Sequence, residues 1–233
     1  MPDHLRVYVL KTDIPELTDI SPDDEERLLS LVDSHRRQLA ARMKKNPKGK
    51  AATIGAGLLL QYAVRSFLAG KDEAQENGPV IFTELKDLIF DPKETKDLKY
   101  RFGEMGKPYF EDKNLPFFNI SHAGGVVILA VSDREVGADI QNMRSRREVS
   151  MAERFFSEEE SRAVSEDETR EVFYKLWSRK EALGKCTGEG VRPYFSRNML
   201  DLSDKANSEY LWIEDRVYDC FLTICGGVNE IIT

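Results

Sequence analysis

The chain has 233 residues, of which 41% are hydrophobic and 32% charged, with a formal net charge of −7. That is enough apolar chain to bury a core, which excludes global disorder, and the acidic balance disfavours a nucleic-acid binder. No unbroken apolar run reaches the roughly 18 residues of a membrane span, and Met1–Asp13 lacks a signal-peptide layout, so no membrane role is expected.

Taken in chain order, Leu5–Leu10 alternates and predicts a strand. Ser21-Pro22-Asp23-Asp24 starts a helix, with Ser as cap, Pro at the first helical position and acids in the first turn; the pattern runs to about Met43. Asn46-Pro47-Lys48-Gly49 breaks it. A second helix, about Ala51–Leu68, is apolar over much of its circumference, ends at Gly70 and reads as a buried central helix. Residues 71–98 are polar and turn-rich. Short strand-like runs follow at Lys99–Phe102, Phe117–Ile120, Val126–Val131 and Val136–Gln141, the last three separated by tight turns as in an antiparallel meander. Helical patterns return at Val149–Phe156, Ser157–Val164 and Thr169–Lys185, before paired strands at Tyr210–Ile213 and Val217–Ile224. Helices then strands, twice over, predict an α+β fold without βαβ alternation, with a boundary near residue 134. Three cysteines, Cys186, Cys220 and Cys225, cannot all pair internally and read as reduced thiols of a cytoplasmic protein.

The charge is unevenly distributed. His35–Lys50 holds Arg36, Arg37, Arg42, Lys44, Lys45, Lys48 and Lys50 and no acid, and a second basic cluster is Arg144, Arg146 and Arg147. A dense basic block in an acidic protein is either a solvated helix end or a site for an anion. In Val136-Gly137-Ala138-Asp139-Ile140-Gln141 the strand period puts Asp139 and Gln141 on one side. Two oxygen donors there suit a hard cation such as magnesium, or simply the wet face of a strand. In Trp177-Ser178-Arg179-Lys180-Glu181-Ala182-Leu183-Gly184-Lys185 the helical period stacks Trp177, Glu181 and Lys185 along one face. The same spacing also makes an ordinary surface Glu–Lys pair. Phe117–His122 ends a strand in Ser121 and His122, and Gly106-Lys107-Pro108 holds a lysine on a restricted loop.

In order, G-K-P, P-F-F-N-I-S-H, V-G-A-D-I-Q and F-Y-K-L-W-S-R-K-E-A-L-G-K resemble the motifs of the 4'-phosphopantetheinyl transferases of the surfactin-synthetase-activating type. The motifs span residues 106–185, and weaker similarity reaches back to about residue 36. The resemblance implies two similar α+β subdomains related by a pseudo-twofold axis, each a small, mainly antiparallel sheet on a long helix. They would divide as residues 1–134 and 135–233, with the site in the cleft between. It implies transfer of the phosphopantetheine arm of coenzyme A onto a serine of an acyl or peptidyl carrier protein, with magnesium, releasing adenosine 3',5'-bisphosphate. Asp139 and Glu181 then match the magnesium carboxylates, with Glu181 also the base for the carrier serine. Lys185 matches the pyrophosphate lysine. Ser121, His122, Lys107 and Lys180 match coenzyme A contacts, and among Arg42, Lys44, Lys45, Lys48 and Lys50 lie the basic residues around the ribose phosphate. Gln141 stands where many members carry a second acid; as a metal ligand it would bind through its amide oxygen and add no charge. A full cleft within one chain implies a monomer. Two other readings stay open: a catalytically silent coenzyme A or carrier-binding module, and a magnesium-dependent nucleotide pyrophosphatase.

Overall fold

A computed structural model describes residues 5–69, 79–143, 148–204 and 206–227. The basic cluster Arg144, Arg146 and Arg147 lies outside the described residues, as does the helix stop at Gly70. The fold is α+β. Strand β1 (Leu5–Lys11) leads into a short helix α1 (Pro15–Thr18), then α2 (Pro22–Ser30), α3 (Ser34–Arg42) and the long α4 (Pro47–Leu68). Short strands β2 (Val80–Phe82), β3 (Tyr100–Phe102) and β4 (Pro108–Phe110) precede the longer β5 (Phe117–Ala123), β6 (Val126–Ser132) and β7 (Val136–Asn142). Helices α5 (Glu148–Phe155), α6 (Glu158–Glu166) and α7 (Glu171–Thr187) follow, and a hairpin of β8 (Tyr210–Val217) and β9 (Cys220–Gly227) closes the described chain.

Two sheets carry the architecture. The first has the order β2-β1-β6-β5 and the second β7-β9-β8, with β3 and β4 forming a separate hairpin. All pairs are antiparallel except β1 with β2. Strand alternation sorts the side chains into three cores. Tyr8, Leu10, Val127, Leu129 and Val131 face α4, whose Leu58, Leu59 and Leu60 are fully buried. Val7, Val9, Ile128 and Ala130 of the first sheet join Ala138, Ile140, Leu222 and Ile224 of the second in a core between the sheets. Phe221 and Cys225 turn the other way, toward Phe173, Leu176, Leu183 and Cys186 of α7. The layers therefore run helix, sheet, sheet, helix.

The expected meander stops at β6. Instead of pairing with β6, strand β7 pairs along its length with β9. It lies beside β5 at a seam between the sheets, where the Asn119 side-chain oxygen accepts the Ala138 N–H at 3.0 Å. The single helix expected from residue 22 to 43 is two helices: Asp33 caps α3 by accepting the Arg36 N–H at 3.0 Å, and accepts the Tyr100 hydroxyl at 2.8 Å. The expected strand Val217–Ile224 straddles a turn, because Tyr218 adopts φ 56° and reverses the chain. Helix α4 is long and apolar enough to cross a membrane by length and composition, yet 72% of its most apolar stretch is buried within the fold.

Gly137 sets the distance between β7 and α7. A Cβ there would lie 2.0 Å from the Ala182 carbonyl oxygen and 2.4 Å from the Cys186 nitrogen, both backbone atoms that cannot yield separately. Gly137→Ala is expected to lower unfolding stability by about 3 kcal/mol or more, the upper end of overpacking costs. Urea unfolding of the purified variant measures it, and a loss under about 1 kcal/mol would show that α7 can shift at little cost.

Candidate active site

The pleat that sends Ala138 and Ile140 between the sheets sends Gly137, Asp139 and Gln141 toward α7. Because α7 rests directly on Gly137, its face bearing Glu181 and Lys185 comes down over Asp139. Asp139 is 2% exposed. Its Oδ1 accepts the Lys185 ammonium at 2.6 Å and the Ser121 hydroxyl at 3.3 Å. Its Oδ2 accepts the Gln141 amide N–H at 2.7 Å. Lys185 donates further to Ser121 Oγ and to the Ala138 carbonyl, both at 3.2 Å. Ser121 comes from β5, Asp139 and Gln141 from β7, Glu181 and Lys185 from α7. The cluster thus draws on both sheets at their seam.

Burial pushes the Glu181 carboxyl above its usual range, and the Asp139 charge pushes it the same way, against the pull of Lys185. Among the described residues the Glu181 carboxylate accepts no hydrogen bond. It projects one helical turn before Lys185, above the aromatic stack in which Trp177 meets Phe173 at 5.8 Å. No cluster of three or more His, Cys, Asp or Glu suited to a metal exists among the described residues. Two carboxylates are nevertheless what magnesium takes from a protein when substrate phosphates and water complete its shell. An unpartnered, half-buried Glu181 whose charge Asp139 disfavours is a group that a cation would relieve, so the residues present fit the ion.

Beside this cluster, His122 lines a cavity of about 390 Å³ with Thr12, Asn46, Lys48, Gly49 and Gly124. Asn46 caps α4, its side-chain oxygen accepting the Gly49 N–H at 2.9 Å, so the positive end of a 22-residue helix opens on the cavity. Burial, with the charges of Lys185 and Arg36, holds the His122 imidazole below its ordinary pKa. Lys48, His122 and the helix end give one wall of the cavity anion-binding groups, while Asp13 also lines it.

The basic block separates on the structure. Lys48 is on the cavity. Lys50 is held by Glu25 at 2.9 and 3.0 Å, away from it. Arg42, Lys44 and Lys45 are exposed and do not line it. Two residues expected at the coenzyme A site lie inside the protein. Lys107 is buried, and its ammonium is taken by the Glu135 carboxylate and, at 2.7 Å, by the Cys186 carbonyl, which ties the β3–β4 hairpin to the end of α7. Lys180 has no exposed surface. It pairs with the equally buried Glu160 at 2.9 Å and donates to the Tyr194 and Arg197 carbonyls. Both lysines serve the interior. Gln141 reaches the cluster, but with its amide nitrogen on Asp139. One residue not assigned from sequence belongs near the site: the Arg36 charge reaches His122, and its buried Nε has no hydrogen-bond partner. Its only sequence signal was membership of the basic block.

Residues 135–223, which carry Asp139, Gln141, Glu181 and Lys185, match the model of the 4'-phosphopantetheinyl transferase superfamily. Over 190 residues the chain is 30% identical to the 4'-phosphopantetheinyl transferase ffp of Bacillus subtilis, covering 80% of this chain and 72% of that protein. It is 26% identical, with the same coverage, to the 4'-phosphopantetheinyl transferase Sfp of Bacillus subtilis strain 168. It is 40% identical over 92 residues to the 4'-phosphopantetheinyl transferase AcpT of Escherichia coli O157:H7, covering 37% of this chain and 47% of that protein. The chain belongs to the 4'-phosphopantetheinyl transferase family and is an enzyme of phosphopantetheinyl transfer.

Proposed function

We propose that the donor is coenzyme A, that the acceptor is a serine of an acyl or peptidyl carrier protein, and that the reaction needs magnesium and releases adenosine 3',5'-bisphosphate. The observation that carries the reading is the seam cluster of Asp139, Glu181 and Lys185, set beside a cavity walled by Lys48, His122 and the start of α4. Residues 1–134 would supply the nucleotide wall and residues 135–233 the reacting groups. The cavity suits the ribose phosphate, whose negative charge would offset the push of Lys185 and Arg36 on His122, though not that of burial.

Asp139 and Glu181 would hold magnesium, which supplies positive charge to the pyrophosphate oxygens. The remaining work falls to the protein. Glu181, half-buried at the cluster, takes the proton of the carrier serine. The serine oxygen bonds to the phosphorus bearing the pantetheine arm, and the bond from that phosphorus to the bridging oxygen breaks. Lys185, fixed by Asp139, Ser121 and the Ala138 carbonyl, stands to neutralise charge on the departing bisphosphate. The carrier would dock through its acidic surface on the Arg36–Lys50 block or on Arg144, Arg146 and Arg147. A reduced, cytoplasmic, monomeric enzyme is the setting proposed.

The test is the intact mass of an apo-carrier incubated with the protein, coenzyme A and magnesium. Gain of one phosphopantetheine, prevented when a chelator is present from the start, supports the reading. An unchanged carrier points to a silent binding module, and release of nucleotide without carrier points to a pyrophosphatase. Lys48→Ala is expected to raise the KM for coenzyme A about tenfold while leaving that for dephospho-coenzyme A, which lacks the ribose phosphate, little affected, as befits loss of a charged hydrogen-bond donor worth about 1.5 kcal/mol. Equal effects on both substrates would remove the cavity as the phosphate site.

A further inference from the structure

We propose that Gln141 is a positioning residue that holds Asp139 through its amide N–H and does not ligate the metal; this rests on the metal reading above. The two side chains leave β7 on the same face, two residues apart, and Gln141 Nε2 meets Asp139 Oδ2 at 2.7 Å. An ionised carboxylate only accepts hydrogen bonds, so the group turned toward it is the amide nitrogen. The atom of Gln141 that meets Asp139 is thus the amide nitrogen, which carries no lone pair to give a cation.

The other side of Asp139 is equally settled, since Oδ1 takes Lys185 at 2.6 Å and Ser121 at 3.3 Å. Asp139 is thus gripped from both sides within the protein itself. A carboxylate at position 141 could not make this contact: it has no N–H, and a third acid beside Asp139 and Glu181 would repel both. The neutral amide lets the site stand ordered before the ion arrives. The expected consequence is a site with two protein ligands and more bound water.

The experiment counts inner-sphere waters on bound manganese by oxygen-17 hyperfine spectroscopy in wild type, Gln141→Ala and Gln141→Glu. Saturable manganese binding by the wild type, abolished in Asp139→Ala, tests the metal reading separately; without it, that reading falls and takes this proposal with it. Gln141→Ala is expected to keep the wild-type water count while metal affinity or kcat falls about 10- to 100-fold, as for loss of a group that orients a ligand. Gln141→Glu is expected to melt lower than wild type when metal-free, to recover on adding manganese, and to displace a water. A water gained in Gln141→Ala would show that the amide is a ligand and overturn the proposal. Glutamine-selective carbon-13 labelling gives a variant-free reading: a resolved coupling from manganese to the amide carbon overturns the proposal, and its absence supports it.

Discussion

Glu181→Gln should slow carrier modification by about 10²–10⁴-fold, the usual contribution of a positioned proton acceptor, while leaving the protein folded. The substitution keeps the shape of the side chain and removes its negative charge, and with it both the proton acceptor and the proposed magnesium ligand. Burial and the Asp139 charge both disfavour that negative charge in the free protein. Removing it therefore relieves a repulsion, and the melting temperature of the metal-free variant is expected to equal or exceed that of wild type. The combination is diagnostic. A structural residue would lose stability and activity together; a catalytic one loses activity while stability holds or rises. Carrier turnover by intact mass and a thermal melt of the same preparation decide it, and a variant that modifies the carrier at the wild-type rate removes Glu181 from the chemistry.

The largest effect on stability is expected at Glu160. This carboxylate receives the Lys180 ammonium at 2.9 Å and the Met199 N–H at 2.9 Å, and closes the cap of α6 by accepting the Ser157 N–H at 3.0 Å. Both members of the ion pair are 0% exposed. Glu160→Ala strands a buried ammonium, and breaking such a pair costs about 3–5 kcal/mol. For a chain of this size each kcal/mol moves the melting point by about 2–4 °C, so a fall of about 6–20 °C is expected. Replacing both partners, Lys180→Met with Glu160→Met, removes the stranded charge and is expected to recover much of the loss, short of the capping bonds. The double variant should keep the KM for coenzyme A of wild type, since Lys180 points into the interior. A raised KM in a folded double variant would place Lys180 on the substrate after all.

Lys180 and Glu181 also show how far the chain could be read without coordinates. Adjacent residues of a helix point about 100° apart, so the two cannot share a role by neighbourhood alone. Lys180 lies on the stripe of Leu176 and Leu183, which is buried, whereas Glu181 lies on the stripe of Trp177 and Lys185. The signal was present, but the short motif around them drew both toward the substrate. Lys107 is a similar case: a lysine between Gly and Pro marks a restricted loop, and nothing local says that Glu135 and the Cys186 carbonyl await it.

Strand partners escaped for a different reason. Alternation along β6 and β7 says which residues share a face. It does not say which strand lies alongside, because pairing is made with chain far away, here β9, through backbone groups common to every residue. Residue order alone was enough for the family, the α+β class, the central helix α4 and the facing of Asp139, Glu181 and Lys185, because period and motif are local properties. The joining of β5, β7 and α7 into one seam, the orientation of the Gln141 amide, and the placing of Lys48 on a cavity that its basic neighbours do not line came from packing. Each depends on contacts between segments tens of residues apart, whose geometry no local pattern encodes.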